Sequence, residues 1–125
     1  MPRYAFEQFT AIRRYQPTLS FSPDGSQLAY VTNTSGQFNL WTQPILGGYP
    51  IQLTLFTDNT VRDVAWSPDG QTIAFTADHD GDEMKQIYTI PAKGGLPTQL
   101  TTAEGVRHEL SATPWNPDGS LLAYG

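Results

Sequence analysis

Three aspartates stand in one setting: Asp24, Asp69 and Asp118 each lie between a proline and a glycine. An aromatic residue (Phe21, Trp66 or Trp115) precedes each triplet by two positions. A further acidic run, "DHDGDE", spans Asp78 to Glu83 and contains His79. Clustered carboxylates could hold a cation or share a proton for acid–base work. A calcium loop of the EF-hand type needs glycine at its sixth position and glutamate at its twelfth. Counted from Asp78, Gly81 is fourth and Thr89 twelfth, so that pattern fails. His108-Glu109 begins a zincin-like H-E-x-x-H, but Ala112 occupies the second histidine position. There is no cysteine, no G-x-S-x-G elbow, no P-loop and no G-x-G-x-x-G. No catalytic, cofactor-binding or metal-ligating residue is assigned.

The triplets are better explained by the elements they join. Pro23-Asp24-Gly25 recurs 45 residues on at Pro68-Asp69-Gly70, and 49 further at Pro117-Asp118-Gly119. The matches extend outward. Leu28-Ala29-Tyr30 corresponds to Ile73-Ala74-Phe75 and Leu122-Ala123-Tyr124. Leu40-Trp41-Thr42-Gln43-Pro44 corresponds to Ile87-Tyr88-Thr89-Ile90-Pro91, and Gly47-Gly48 to Gly94-Gly95. Pro50, Gln52, Leu53 and Thr54 correspond to Pro97, Gln99, Leu100 and Thr101. Internal repeats of this length denote stacked units, each unable to bury its apolar face alone.

Each repeat reads as four short strands with period-two alternation: 17–21, 27–32, 38–43 and 50–54, then 61–66, 72–77, 86–90 and 97–101. Proline sets φ for a type I turn, aspartate accepts backbone N–H bonds across it, and glycine supplies the left-handed residue. Ser22, Ser67 or Asn116 can cap the turn. The aspartates are therefore read as corners, and the aromatics as packing between units. The offset grows by two residues between Phe75 and Ile87, which places "TADHDGDEMKQ" in a loop, with "DHDGDE" a solvated turn. A second two-residue insertion falls between Thr101 and Trp115.

The fold expected is all-β: a partial β-propeller of about two and a half four-stranded antiparallel blades. Its blades are 17–54, 61–101 and an incomplete 110–125, after a lead-in at 1–16. Residues 5–14 are the one helical candidate, with Phe6, Phe9 and Ile12 on a stripe and Arg13-Arg14 at the C-terminal end. Charged residues make up only 15%, with 11 glycines and 10 prolines, as short strands and tight turns require. A net charge of −5 from only seven basic residues argues against nucleic acid and anionic membrane as partners. "MPRYAFEQFTAIRRYQ" has no long apolar run, and a cytoplasmic location is expected.

"SPDG…LAY" followed by "LW", "GG" and "QLT" resembles the WD40-like Pro-Asp-Gly repeat of TolB-type propellers. More narrowly, "FSPDGSQLAYVTNTSGQFNLWTQPILGGYPIQLT" resembles a first blade in the prolyl oligopeptidase family of serine peptidases, in its acylaminoacyl and dipeptidyl peptidase branches. "DGDEMKQIYTI" is similar to the second-blade loop and strand there. The resemblance implies a non-catalytic propeller that caps a C-terminal α/β-hydrolase domain and admits short peptides. It implies no cofactor, and partners in the remaining blades and the hydrolase. The Ser-Asp-His triad would lie outside these 125 residues. The third repeat stops after its second strand, so a longer parent protein is expected. Left alone, its open edge would invite strand exchange. The alternative is a stand-alone TolB-like propeller serving protein–protein interaction.

Overall fold

The computed structural model describes residues 15–79, 84–101, 110–117, 119 and 122–124. The helical candidate at 5–14, His108 and Asp118 lie outside them. The described residues are all-β. The first repeat forms β1 (Tyr15–Phe21), β2 (Gln27–Thr32), β3 (Asn39–Pro44) and β4 (Ile51–Gln52). The second forms β5 (Asn59–Trp66), β6 (Thr72–His79), β7 (Gln86–Pro91) and β8 (Thr98–Gln99). The third contributes β9 (Leu110–Trp115) and β10 (Leu122–Tyr124). Each complete repeat is an antiparallel sheet in sequential order, and β9 pairs with β10 in a sheet of two. The first strands adjoin, β1 against β5 and β5 against β9.

The Pro-Asp-Gly corner is held by its own side chains. Gly25 N–H donates to the Ser22 carbonyl at 2.9 Å, closing the turn, and Gly25 is left-handed at φ 73°. Ser22 Oγ donates to Asp24 Oδ1 at 2.7 Å and accepts from Gln27 N–H at 3.0 Å. The second copy repeats this: Ser67 Oγ donates to Asp69 Oδ1 at 2.6 Å and accepts from Thr72 N–H at 3.1 Å. Donors gathered on one carboxylate stabilise its charged form. Asp24 is lowered to about 2, chiefly by the hydroxyls of Ser26 and Ser22 and then by the Ser26 amide. Asp69 is lowered too, chiefly by the Ser67 hydroxyl. Successive turns also stack. A methyl group on Gly70 would meet Pro23 Cδ at 3.7 Å, and one on Gly119 would meet Pro68 Cδ at the same distance.

The "QLT" signature ends each sheet with side-chain chemistry. The fourth strands are two residues long, shorter than the five expected at 50–54 and 97–101. The reason is that Thr54 substitutes its side chain for backbone. Its Oγ1 accepts from Leu40 N–H at 2.9 Å and donates to Asn39 Oδ1 at 2.7 Å. Thr101 does the same with Ile87 N–H at 2.9 Å and Gln86 Oε1 at 2.6 Å. Gln52 and Gln99 each donate to the carbonyl of the threonine two residues on. The chain can then leave the sheet without abandoning a buried amide.

The core is the seam between two blades. Ala29, Val31, Leu40 and Leu53 from the first meet Val61, Val64, Ile73, Phe75, Ala77 and Ile90 from the second. The connecting segment sends in Phe56, whose ring lies 6.1 Å from Phe75 and 5.7 Å from Tyr88. Phe75 and Tyr88 stack at 5.2 Å. Polar bonds cross the same seam: Trp66 N–H donates to Ser20 Oγ at 2.9 Å and Val64 N–H to Thr18 Oγ1 at 3.3 Å. Trp115 Nε1 donates to the Ala65 carbonyl at 3.0 Å, carrying the contact on to the third repeat. The aromatics before the turns thus pack between blades in the second and third copies, whereas Phe21 is half exposed.

Two tests follow from this architecture. Thr54→Val removes the acceptor of a buried amide and is expected to destabilise the fold by about 1–3 kcal/mol, read by urea unfolding. Loss within a few tenths of a kcal/mol would contradict the role assigned to the hydroxyl. For Asp24, the folded value lies below its ordinary 3.8, so its contribution is complete above pH 4 or so and is lost as pH falls through about 2. The paired change Ser22→Ala and Ser26→Ala should return its carboxyl titration toward 3.8, measured by carbon-detected NMR. An unchanged titration would refute the hydroxyl assignment.

Candidate functional site

Asp24 and Asp69 do not converge on a reaction centre. Each Oδ1 is engaged by its own turn, and the two turns flank a cleft of about 250 Å³. Pro23, Gln27, Trp66 and Gly70 also line it. The Ser22 and Ser26 hydroxyls that line it both donate to Asp24 Oδ1 within the turn. The chemistry it offers is an ionised, acidic rim next to an indole.

A second polar locus escaped the sequence reading. Where "DHDGDE" was expected to be solvated turn, β6 runs on through Asp78 and His79. The two-residue insertion lengthens a strand, and Asp78 pairs with Thr60 across β5. Asp78 is buried, and Arg62 explains how it is tolerated. Arg62 Nε and Nη2 both lie 3.1 Å from Asp78 Oδ2. Buried charge of this kind requires a partner. Asp78 Oδ1 has none. Asp80 to Glu83 lie outside the described residues.

Arg62 and Asp63 occupy an irregularity in β5, where the register with β6 shifts between Val61 and Val64. The shift lets adjacent residues both reach polar partners. Asp63 N–H donates to Thr76 Oγ1 at 3.1 Å, and that hydroxyl donates back to Asp63 Oδ2 at 3.0 Å. Lys85 Nζ lies 3.4 Å from the same carboxylate oxygen. Beside them, His79 Nδ1 lies 3.0 Å from Asn59 Oδ1, and Asn59 Nδ2 donates to the Tyr88 hydroxyl at 3.3 Å. Burial raises the Tyr88 phenol above its ordinary value, against the smaller effect of Asn59.

Among the described residues, this double ion pair belongs to the second blade alone. β1 is also irregular near this point, its register with β2 shifting between Tyr15 and Leu19. There, Pro17, Thr18 and Asn33 stand where the second repeat has Arg62, Asp63 and Asp78, and Phe38 stands for Lys85. The blade therefore does not need these charges in order to fold. Aligning the repeats and marking charged positions without a counterpart would have found them. In a propeller, the first strands surround the central channel, and β5 is such a strand. On it, the Arg62 and Asp63 side chains are partly exposed, at 34% and 44%. The arrangement forms no group of three metal-ligating side chains among the described residues.

Comparison with known proteins agrees with this architecture. The PD40 family, described as the TolB beta propeller domain, matches residues 6–125. Dipeptidyl aminopeptidase BIII of Pseudoxanthomonas mexicana is 31% identical over 83% of this chain, which spans 15% of that protein. A protein TolB homolog of Chlorobaculum tepidum is 32% identical over 78% of the chain, which spans 22% of it. The solved structure of a putative TolB from Agrobacterium tumefaciens superposes with a TM-score of 0.67 at 20% identity, covering 83% of this chain and 39% of that one. No helix among the described residues is long and apolar enough to cross a membrane. With the repeated corner, the antiparallel blades and the adjoining first strands in place, the chain belongs to the PD40 family of TolB-type β-propeller domains.

Proposed function

We propose that this chain is the non-catalytic propeller part of a larger serine peptidase of the prolyl oligopeptidase type. In that parent protein it caps an α/β-hydrolase domain and admits short peptides while excluding folded proteins. The observation that carries this reading is the likeness to a dipeptidyl aminopeptidase along 83% of the chain. The ion pairs Arg62–Asp78 and Lys85–Asp63 support it, because they put charge on a first strand beside the path a peptide would take. We place the parent in the cytoplasm, a location that cell fractionation tests. A second reading, a TolB-like module for protein–protein interaction, has support of its own in the TolB homolog and in the superposition on a putative TolB.

The nucleotide sequence beyond codon 125 separates the two. The peptidase reading expects a downstream G-x-S-x-G in an α/β-hydrolase domain, and an encoded full-length protein that cleaves short peptide nitroanilides but leaves casein intact. Further Pro-Asp-Gly repeats with no hydrolase domain would overturn it in favour of the interaction module. The 125-residue chain by itself should neither hydrolyse these peptides nor be labelled by a serine-directed phosphonate. Turnover blocked by that reagent would contradict the assignment of the nucleophile to another part of the protein.

A further inference from the structure

The hairpin joining β3 to β4 carries far more exposed apolar surface than the fold asks of it. Its tip reads Ile45-Leu46-Gly47-Gly48-Tyr49-Pro50-Ile51. Leu46 is fully exposed, Tyr49 is 89% exposed, and Ile45 and Ile51 are about half exposed at 45% and 57%. The corresponding hairpin of the second blade has Ala92, Lys93, Leu96 and Thr98 at those four positions. Both hairpins turn through two left-handed glycines beside a proline, Pro44 or Pro91. One backbone therefore serves both sequences, and the apolar set in the first blade is not a folding requirement. Contiguous exposed apolar side chains on one hairpin tip mark an interaction surface.

Hydrogen bonding places the tip beside acidic corners. Ile45 N–H donates to the Ser26 carbonyl at 2.9 Å, and Ser26 donates through both its amide and its hydroxyl to Asp24 Oδ1. In the second blade, Ala92 N–H donates to the Gln71 carbonyl, and Gln71 N–H to Asp69 Oδ1. The carboxyl-flanked corners and the hairpin tips thus share one end of the blades. Asp24, lowered to about 2, stays ionised at any physiological pH. A fixed negative charge next to an apolar tip selects a partner with apolar side chains flanked by lysine or arginine. It opposes an anionic lipid surface.

We propose that the Ile45–Ile51 hairpin, with Asp24 beside it, is a docking site for a polypeptide that presents apolar side chains next to basic ones. This holds whether or not the parent is a peptidase. The probe is a fluorescein-labelled peptide of alternating leucine and lysine, followed by anisotropy against the full 125-residue chain. A leucine–glutamate peptide and phosphatidylcholine vesicles serve as comparisons. The chain should bind the leucine–lysine peptide at least tenfold more tightly than the leucine–glutamate one, and added salt should weaken that binding. Exchanging the tip for its second-blade counterpart (Ile45→Ala, Leu46→Lys, Tyr49→Leu, Ile51→Thr) should weaken it at least tenfold. Leu46→Lys alone, at a fully exposed position, should weaken it severalfold and keeps the test valid if the fourfold exchange unfolds. Equal binding of the two peptides, undiminished binding by the tip variants, or capture by vesicles in place of peptide would overturn the proposal.

Discussion

A four-stranded blade has two faces and no interior, so everything in this molecule depends on one sheet face seating on the next. The second blade presents Val64, Ile73, Phe75 and Ile90, and the first receives them with Ala29, Val31, Leu40 and Leu53. Removing this much apolar surface from water is the largest favourable contribution a fold of short strands can make. The seam also has a polar register. Thr18 and Ser20 meet the amides of Val64 and Trp66 one blade away, which fixes how far one sheet can slide along the other. Gly70 and Gly119 lie against the prolines of the corners before them, Pro23 and Pro68, so the turns stack along with the sheets. A Pro-Asp-Gly triplet is thus a turn and a spacer at once.

The fold was legible because the same physical problem is solved repeatedly. Alternation located the strands, and the recurring Ser-Pro-Asp-Gly and Gln-Leu-Thr located what closes them. Asp24 and Asp69 proved to be corners, as their neighbours required. The fourth strands came out short because Thr54 and Thr101 do with a hydroxyl what strand pairing was expected to do, and alternation cannot register such a substitution. The likeness to peptidases and to TolB was readable from the same repeats, which is also why it identifies a family more sharply than an activity.

Asp78 and His79, at the head of the acidic run, were misread as turn for a reason that can be stated. An acidic run with a glycine in it has the composition of a solvated turn, and composition carries no information about a cation on another strand. Arg62, sixteen positions earlier, converts Asp78 from a turn residue into a buried strand residue. What distinguishes functional candidates in a repeat protein is departure from the repeat. By that criterion Arg62, Asp63, Asp78 and Lys85 stand apart from the shared frame, as does the apolar hairpin tip at the blade end. Neither is demanded by the blade frame, which is also built with Pro17, Thr18 and Asn33, or with Lys93 and Thr98.

The seam itself is the claim on which the rest stands, and native-state hydrogen exchange reads it at one atom. The Trp66 amide faces no carbonyl on its own sheet and is held by Ser20 Oγ of the neighbouring blade. It should exchange slowly in the intact chain, as the amides within the sheets do, and markedly faster in Ser20→Ala. A Trp66 amide that exchanges as fast as an exposed loop amide, or one indifferent to loss of the Ser20 hydroxyl, would mean that the blades do not seat on each other in this way.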